Sequence, residues 1–151
     1  MHASDRSVIY ISYRWHGAKA IADSLTAELS AALPDVDVFQ DSASLQPGDH
    51  WPTRLQEALN LASVLLVLID HDWLRYADEY GRRRLDDPED WVRLEIERAL
   101  GRDVRIIPIL LDDAVLPPAQ GLPESLRPLT LFQAVPLRSS GPGAIADRIR
   151  G

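Results

Sequence analysis

The stretch that decides the fold is VLLVLI, residues 64–69, an unbroken aliphatic run near the middle of the chain. It is far shorter than the roughly 20 apolar residues that span a bilayer. A strand of a parallel sheet reads as such a run when helices cover both of its faces, because neither face then meets water. We therefore expect residues 64–69 to form the central strand of a parallel sheet.

Strands and helices alternate on both sides of this run, judged from apolar periodicity and from turn residues. The predicted strands lie at residues 8–11, 36–39, 104–111 and 131–135, and the predicted helices at 18–33, 52–62, 88–101 and from 144 onward. Asp87-Pro88 is typical of a helix N-terminus, with the acid as cap and the proline in the first turn. Pro108 lacks an N–H donor, so we expect strand pairing to loosen there.

This alternation predicts a three-layer, flavodoxin-like α/β fold, a five-stranded parallel sheet in the order 2-1-3-4-5 with helices on both faces. Ligands of such sheets bind beyond the carboxyl ends of the strands, where the strand order reverses. The loops after the first three strands are therefore the expected place of function.

The composition excludes several classes of protein. The 151 residues fit one domain, residues 1–151, and because the chain ends within the last predicted helix we expect a module of a longer protein. The net charge of −7 opposes the attraction on which nucleic-acid and anionic-membrane binders depend, so neither partner is expected. The absence of cysteine excludes disulfides and a thiol nucleophile, and with no leader sequence it predicts a cytoplasmic location.

Motifs of several enzyme classes are missing. The sequence has no GxGxxG, GxxxxGK[ST], GxSxG or HExxH pattern. The four histidines stand apart, so no metal site is expected. Asp70 follows the central strand as the acceptor of a phosphoacceptor receiver would, but no acidic pair follows the first strand and no lysine follows the fourth or fifth. We therefore expect Asp70 to be a loop or capping residue.

Tryptophan and histidine stand next to each other after three successive strands, as Trp15-His16, His50-Trp51 and His71-Asp72-Trp73. A tryptophan face suits stacking on a nicotinamide or adenine ring. For any one tryptophan, a role in fastening its loop or in self-association is the stronger interpretation. The shared location favours a ligand site for the group, and both interpretations stay open.

Four ordered motifs resemble the Toll/interleukin-1 receptor (TIR) domain family, and in particular its bacterial NAD-cleaving members. They are ISYR at residues 11–14, VFQD with LQPG at 38–41 and 45–48, WVRLE at 91–95, and IIPI at 106–109. The resemblance implies NAD⁺ glycohydrolase activity, because enzymatic members use one glutamate in a W-x-x-x-E helix. That glutamate corresponds to Glu95, whereas helix spacing alone favours a solvated acid beside Arg98 and Arg102.

The resemblance also implies a substrate cleft. Tyr13 and Arg14 would line it, with Arg14 on the pyrophosphate or ribose, and Trp91 would wall the ribose pocket one helical turn before Glu95. The segment Asp41–Trp51 would cover the site and mediate self-association. Gln46 stands where some hydrolases carry an acid, which is a departure from the family pattern. The implied substrate contacts are Tyr13, Arg14, Trp15, Asp41, Gln46, Trp51 and Trp91.

A single carboxylate suits this chemistry. Nicotinamide is cationic in NAD⁺ and departs neutral, so no general acid has to protonate the leaving group, unlike in ordinary glycosidases. NAD⁺ is therefore the expected substrate, with no cofactor and no metal, and the products are nicotinamide with ADP-ribose or a cyclic isomer. The alternative is a non-enzymatic TIR–TIR adaptor. A role in bacterial immune or stress signalling is what the resemblance implies.

Overall fold

The computed structural model describes residues 7–40, 53–102, 104–137, 145 and 149, apart from the side chains of residues 15–17 and 53–54. The strands are β1 (Ser7–Ser12), β2 (Val36–Gln40), β3 (Ala62–Ile69), β4 (Arg105–Leu110) and β5 (Val135–Pro136). The helices are α1 (Trp15–Ala32), α2 (Thr53–Leu61) and α3 (Trp91–Leu100), and the 3₁₀ segments are Arg84–Asp86, Ala119–Gly121 and Glu124–Leu131.

The five strands form one parallel sheet in the order β2-β1-β3-β4-β5. β3 is central, with Leu66 opposite Ile11 of β1 on one side and opposite Ile107 of β4 on the other. Every residue of the run 64–69 is buried. The predicted fold class, strand order and central strand are confirmed.

The sheet separates two apolar clusters, because successive residues of a strand point to opposite faces. Ile9 and Ile11 of β1 pack with α1 on one face, together with Ile145. Tyr10 of β1 packs on the other face with residues of α2, α3 and the 3₁₀ segment 124–131. Odd-numbered residues of β1 therefore face α1, and even-numbered residues face α3.

The predicted fifth strand is wrong in position. Residues 124–131 form a 3₁₀ segment, and β5 is confined to Val135–Pro136. Pro128 lies inside the segment, and Leu126 and Leu129 are buried at the three-residue spacing of a 3₁₀ turn. That spacing places both leucines on the same, buried side of the segment. Residue 131 is therefore the last residue of a 3₁₀ segment and not the first residue of a strand.

Two helices begin elsewhere than predicted. α3 begins at Trp91 and is capped by Asp90, whose carboxylate accepts the N–H of Arg93 at 3.0 Å. The sequence pattern favoured Asp87 as the cap, but the side chain of Asp87 accepts the N–H of Glu89 in a turn before the helix. α1 begins at Trp15, so Trp15-His16 starts a helix directly after β1 and does not form a loop.

Pairing does not loosen at Pro108 on the side of β3. The register continues through the pair Val67 and Pro108. Pairing between β4 and β5 begins only at Ile109, one residue after Pro108. The missing N–H of Pro108 therefore interrupts no hydrogen bond between β4 and β5. In the part of the chain that the structure describes, no helix is both long and apolar enough to cross a membrane.

Candidate active site

Glu95 lies on the inward face of α3 and is only 1% exposed. Its helix buries Val92, Ile96 and Ala99 on the same side, at the spacing of one helix face packed on a sheet. Glutamate is almost never fully buried unless its carboxyl is paired. Glu95 is therefore not the solvated acid that helix spacing alone favours.

Two hydroxyl groups of β1 hold the carboxyl of Glu95. The Tyr10 hydroxyl donates to Oε2 at 2.5 Å, and the Ser12 hydroxyl donates to Oε1 at 2.8 Å. Both donors are fully buried, and both occupy even positions of the strand, facing α3. The Tyr10 ring is stacked on Phe39 of β2, with ring centroids 5.6 Å apart. Glu95 therefore lies between the sheet and its own helix, at the carboxyl end of β1.

A second polar contact joins the turn after β1 to the N-cap of α3. The guanidinium of Arg14 donates two hydrogen bonds to the carboxylate of Asp90, at 2.6 and 2.7 Å. The side chains of this pair are 7% and 8% exposed. Because Asp90 also caps α3, the pair fixes the first turn of the helix that carries Glu95. The buried Nε of Arg14 has no acceptor among the described residues.

The turn after β3 lies near this pair. Asp70 accepts the N–H of Asp72 at 2.9 Å and the Tyr76 hydroxyl at 3.1 Å, which confirms the prediction of a loop or capping residue. Burial, followed by the negative charges of Asp70 and Asp72, raises the pKa of Tyr76 to about 12, and the nearby Arg14 opposes that rise. The loops at the carboxyl ends of β1 and β3 therefore share one electrostatic environment.

The structure brings only some of the predicted residues together. Trp91 is half-buried at the first position of α3, one turn before Glu95, and Arg14 reaches the same helix through Asp90. Tyr13 is buried in the cluster on the α1 side of the sheet, away from Glu95. The described residues do not include Asp41, Gln46, Trp51 or the side chain of Trp15. Their predicted contacts with substrate stay predictions.

Trp73 is not part of an exposed aromatic rim. It is 1% exposed and belongs to the apolar cluster on the α3 side of the sheet. Trp73 belongs to the turn that follows β3, in which its backbone N–H donates to the carbonyl of Asp70 at 3.2 Å. The ligand-stacking interpretation is therefore wrong for Trp73, which is a core residue.

Three residues of the site were missed by the sequence analysis, namely Tyr10, Ser12 and Asp90. The available signal was the spacing of Tyr10 and Ser12, two hydroxyl-bearing residues two positions apart in the carboxyl-terminal half of β1. Such a spacing places both side chains on one face. Within the ranges that the structure covers, no three histidine, aspartate or glutamate side chains converge as metal ligands.

Comparisons with known proteins agree with this architecture. The family model described as TIR domain matches residues 9–143. The NAD(+) hydrolase sarm1 of Drosophila melanogaster is 28% identical over 127 residues, which cover 84% of this chain and 9% of that protein's length.

Among solved structures, the fold is similar to the TIR domains in the structure of the activated Roq1 resistosome directly recognizing the pathogen effector XopQ. The TM-score is 0.62 at 13% identity, over 95% of this chain and 97% of that one. This likeness concerns the fold alone. Because the family model covers most of the chain and the sheet order is that of a TIR structure, the chain belongs to the TIR domain family.

Proposed function

We propose that this TIR domain is an NAD⁺ glycohydrolase that cleaves the bond between nicotinamide and ribose, with Glu95 as its catalytic carboxylate. The observation that carries the proposal is the burial of Glu95 at the carboxyl end of β1, between the hydroxyls of Tyr10 and Ser12. Ligand sites of parallel sheets lie at these strand ends. The likeness to a NAD(+) hydrolase supports the same activity.

The reaction needs charge stabilisation more than proton transfer. The bond between ribose C1 and the nicotinamide nitrogen breaks, its electron pair neutralises the nicotinamide, and positive charge develops on the ribose. The Glu95 carboxylate would stabilise that charge in a site where low water content strengthens electrostatic interactions. Water then attacks C1 and loses a proton to give ADP-ribose, or an adenine nitrogen attacks to give a cyclic isomer.

Trp91 and Arg14 have supporting roles in this proposal. Trp91 precedes Glu95 by one helical turn and would form a wall of the ribose pocket. Arg14 is already bound bidentately by Asp90, so a phosphate contact would use its Nε or displace Asp90. The contacts predicted for Trp15, Asp41, Gln46 and Trp51 belong to the same proposal, whereas Tyr13 is buried on the other face of the sheet and is left out of it.

Burial of Glu95 in the single chain favours activity that depends on self-association. A carboxyl that is 1% exposed cannot meet ribose hydroxyls unless the surrounding chain moves. TIR–TIR contacts through the segment Asp41–Trp51 would supply that movement. We expect specific activity to rise with protein concentration, measured as nicotinamide release per milligram, and a constant value would contradict a composite site.

The decisive experiment compares two glutamates. The purified chain is incubated with NAD⁺ at high protein concentration, and nicotinamide is followed by chromatography. Glu95→Gln should lower the rate by about 100-fold or more. The matched control is Glu89→Gln, which makes the same change at an exposed position just before α3.

Two outcomes would contradict the proposal. Equal rates for Glu95→Gln and the wild type would remove Glu95 from the reaction. A wild type that releases no nicotinamide at any concentration would favour the adaptor function. A role in bacterial immune or stress signalling stays a prediction from the family resemblance.

A further inference from the structure

The carboxyl of Glu95 is attached to β1 at two points. One hydrogen bond would fix the distance of a carboxyl but leave its plane free to rotate. Here Tyr10 donates to one oxygen and Ser12 to the other. Two donors on two oxygens fix the plane as well as the position.

The two donors are themselves held rigidly. Tyr10 and Ser12 are 0% exposed, and β1 lies between β2 and β3, paired on both sides. The Tyr10 ring has Phe39 of β2 stacked against it, and Tyr10 and Phe39 are also partners in the strand register. A packed strand between two neighbours is among the least mobile parts of a domain.

We propose that Tyr10 and Ser12 are positioning residues that aim the Glu95 carboxyl at the reacting ribose. The inference rests on the proposed function and extends it to residues that do not themselves contact substrate. Electrostatic catalysis depends on groups that are already oriented before the reaction, because reorientation during the reaction is costly. A hydroxyl that donates to a carboxylate also makes a charge-assisted, stronger hydrogen bond.

The first test removes one oxygen atom. Tyr10→Phe keeps the ring and its stacking on Phe39 but loses the donor to Oε2. We expect kcat for nicotinamide release to fall by about 10- to 100-fold, while KM changes by less than about threefold. The matched control is Ser125→Ala, which also removes a hydroxyl bound to a carboxylate, that of Glu97 on the far side of α3 from the site. It should leave both constants within about twofold of the wild type.

The second test uses rescue at Ser12. Ser12→Ala removes the donor to Oε1 and should lower kcat in the same way as Tyr10→Phe. Ser12→Thr restores a hydroxyl in the same place and should recover most of the lost rate. Equal losses for the alanine and threonine variants would overturn the role of the Ser12 hydroxyl.

A third measurement does not depend on activity. Urea unfolding of Tyr10→Phe, Glu95→Ala and the double variant forms a double-mutant cycle, because each single variant removes one partner of the hydrogen bond. If the hydroxyl and carboxyl are bonded in solution, the double variant loses less stability than the sum of the two single variants. Additive losses would show that the contact is absent and would overturn the inference.

The outcomes separate the two proposals. If Glu95→Gln abolishes activity and Tyr10→Phe leaves kcat unchanged, the proposed function stands and positioning by Tyr10 is wrong. If Tyr10→Phe raises kcat, the hydroxyl holds Glu95 in an unproductive orientation, which also overturns the inference. If Glu95→Gln retains full activity, the proposed function itself fails.

Discussion

At the scale of single residues, burial distinguishes the polar groups of the candidate site from the rest. Glu95, Ser12 and Arg14 are the buried polar or charged residues of the described chain. Each is bonded to a partner on a distant segment, as buried polar groups must be. The W-x-x-x-E pattern made Glu95 the candidate residue, but its hydrogen-bond partners were not predictable, because hydrogen bonds between β1 and α3 join positions far apart in sequence.

The buried pair of Arg14 and Asp90 should matter for stability. Asp90→Ala removes the cap of α3 and leaves the Arg14 guanidinium buried without its partner. We expect a loss of about 3–5 kcal/mol in the free energy of unfolding. The control is Asp86→Ala, which breaks an exposed pair with Arg83 and should cost at most about 1 kcal/mol. Urea unfolding followed by circular dichroism measures both, and similar losses would contradict the assignment.

Tyr76 should make stability depend on alkaline pH. Its pKa is raised from 10.0 to about 12 in the folded chain, first by burial and then by the charge of Asp70. A raised pKa means that the folded chain keeps a proton which the unfolded chain releases. Stability is therefore lost as pH rises from 10 to 12. Tyr76→Phe should lose less stability over this interval than the wild type, measured by urea unfolding at each pH.

At the scale of elements, the helices and strands that could be predicted from the sequence are those with a clear apolar periodicity. The central strand and α1 were found because an apolar run and a 3.6-residue period have few other interpretations. The segment 124–131 was missed because Leu126 and Leu129 pack against the α3 side of the sheet at a 3₁₀ spacing, a tertiary contact that local propensity does not report. The true N-cap of α3 was missed because two aspartates compete for the role and only Asp90 is bound by Arg14.

Two leucines in the 3₁₀ segment test its assignment. Leu129 is fully buried, whereas Leu131 is 84% exposed. Leu129→Ala should lower the free energy of unfolding by about 2–5 kcal/mol because it leaves a cavity. Leu131→Ala should change it by less than about 0.5 kcal/mol. If Leu131 were the more costly position, the strand predicted at 131–135 would be the better description.

At the scale of the whole molecule, the net charge has the same sign as the proposed substrate. A net charge of −7 repels an anionic dinucleotide, so binding has to come from a local arrangement. Salt screens long-range repulsion between exposed charges. We expect KM for NAD⁺ to stay constant or to fall slightly between low and moderate NaCl concentrations. A KM that rises steeply with salt would show that the overall field attracts the substrate.

The contact between Tyr10 and Glu95 also bears on how the chain folds. It joins residues 85 positions apart, within a parallel sheet that has no hairpins to form first. Long-range contacts of this kind form late and slowly. A chain still being synthesised carries Tyr10 long before residue 95 has emerged, so the paired carboxyl cannot form until residue 95 has left the ribosome. Under the proposed function, NAD⁺ cleavage would be withheld until the whole sheet has folded, which would protect the cell from a partly made enzyme.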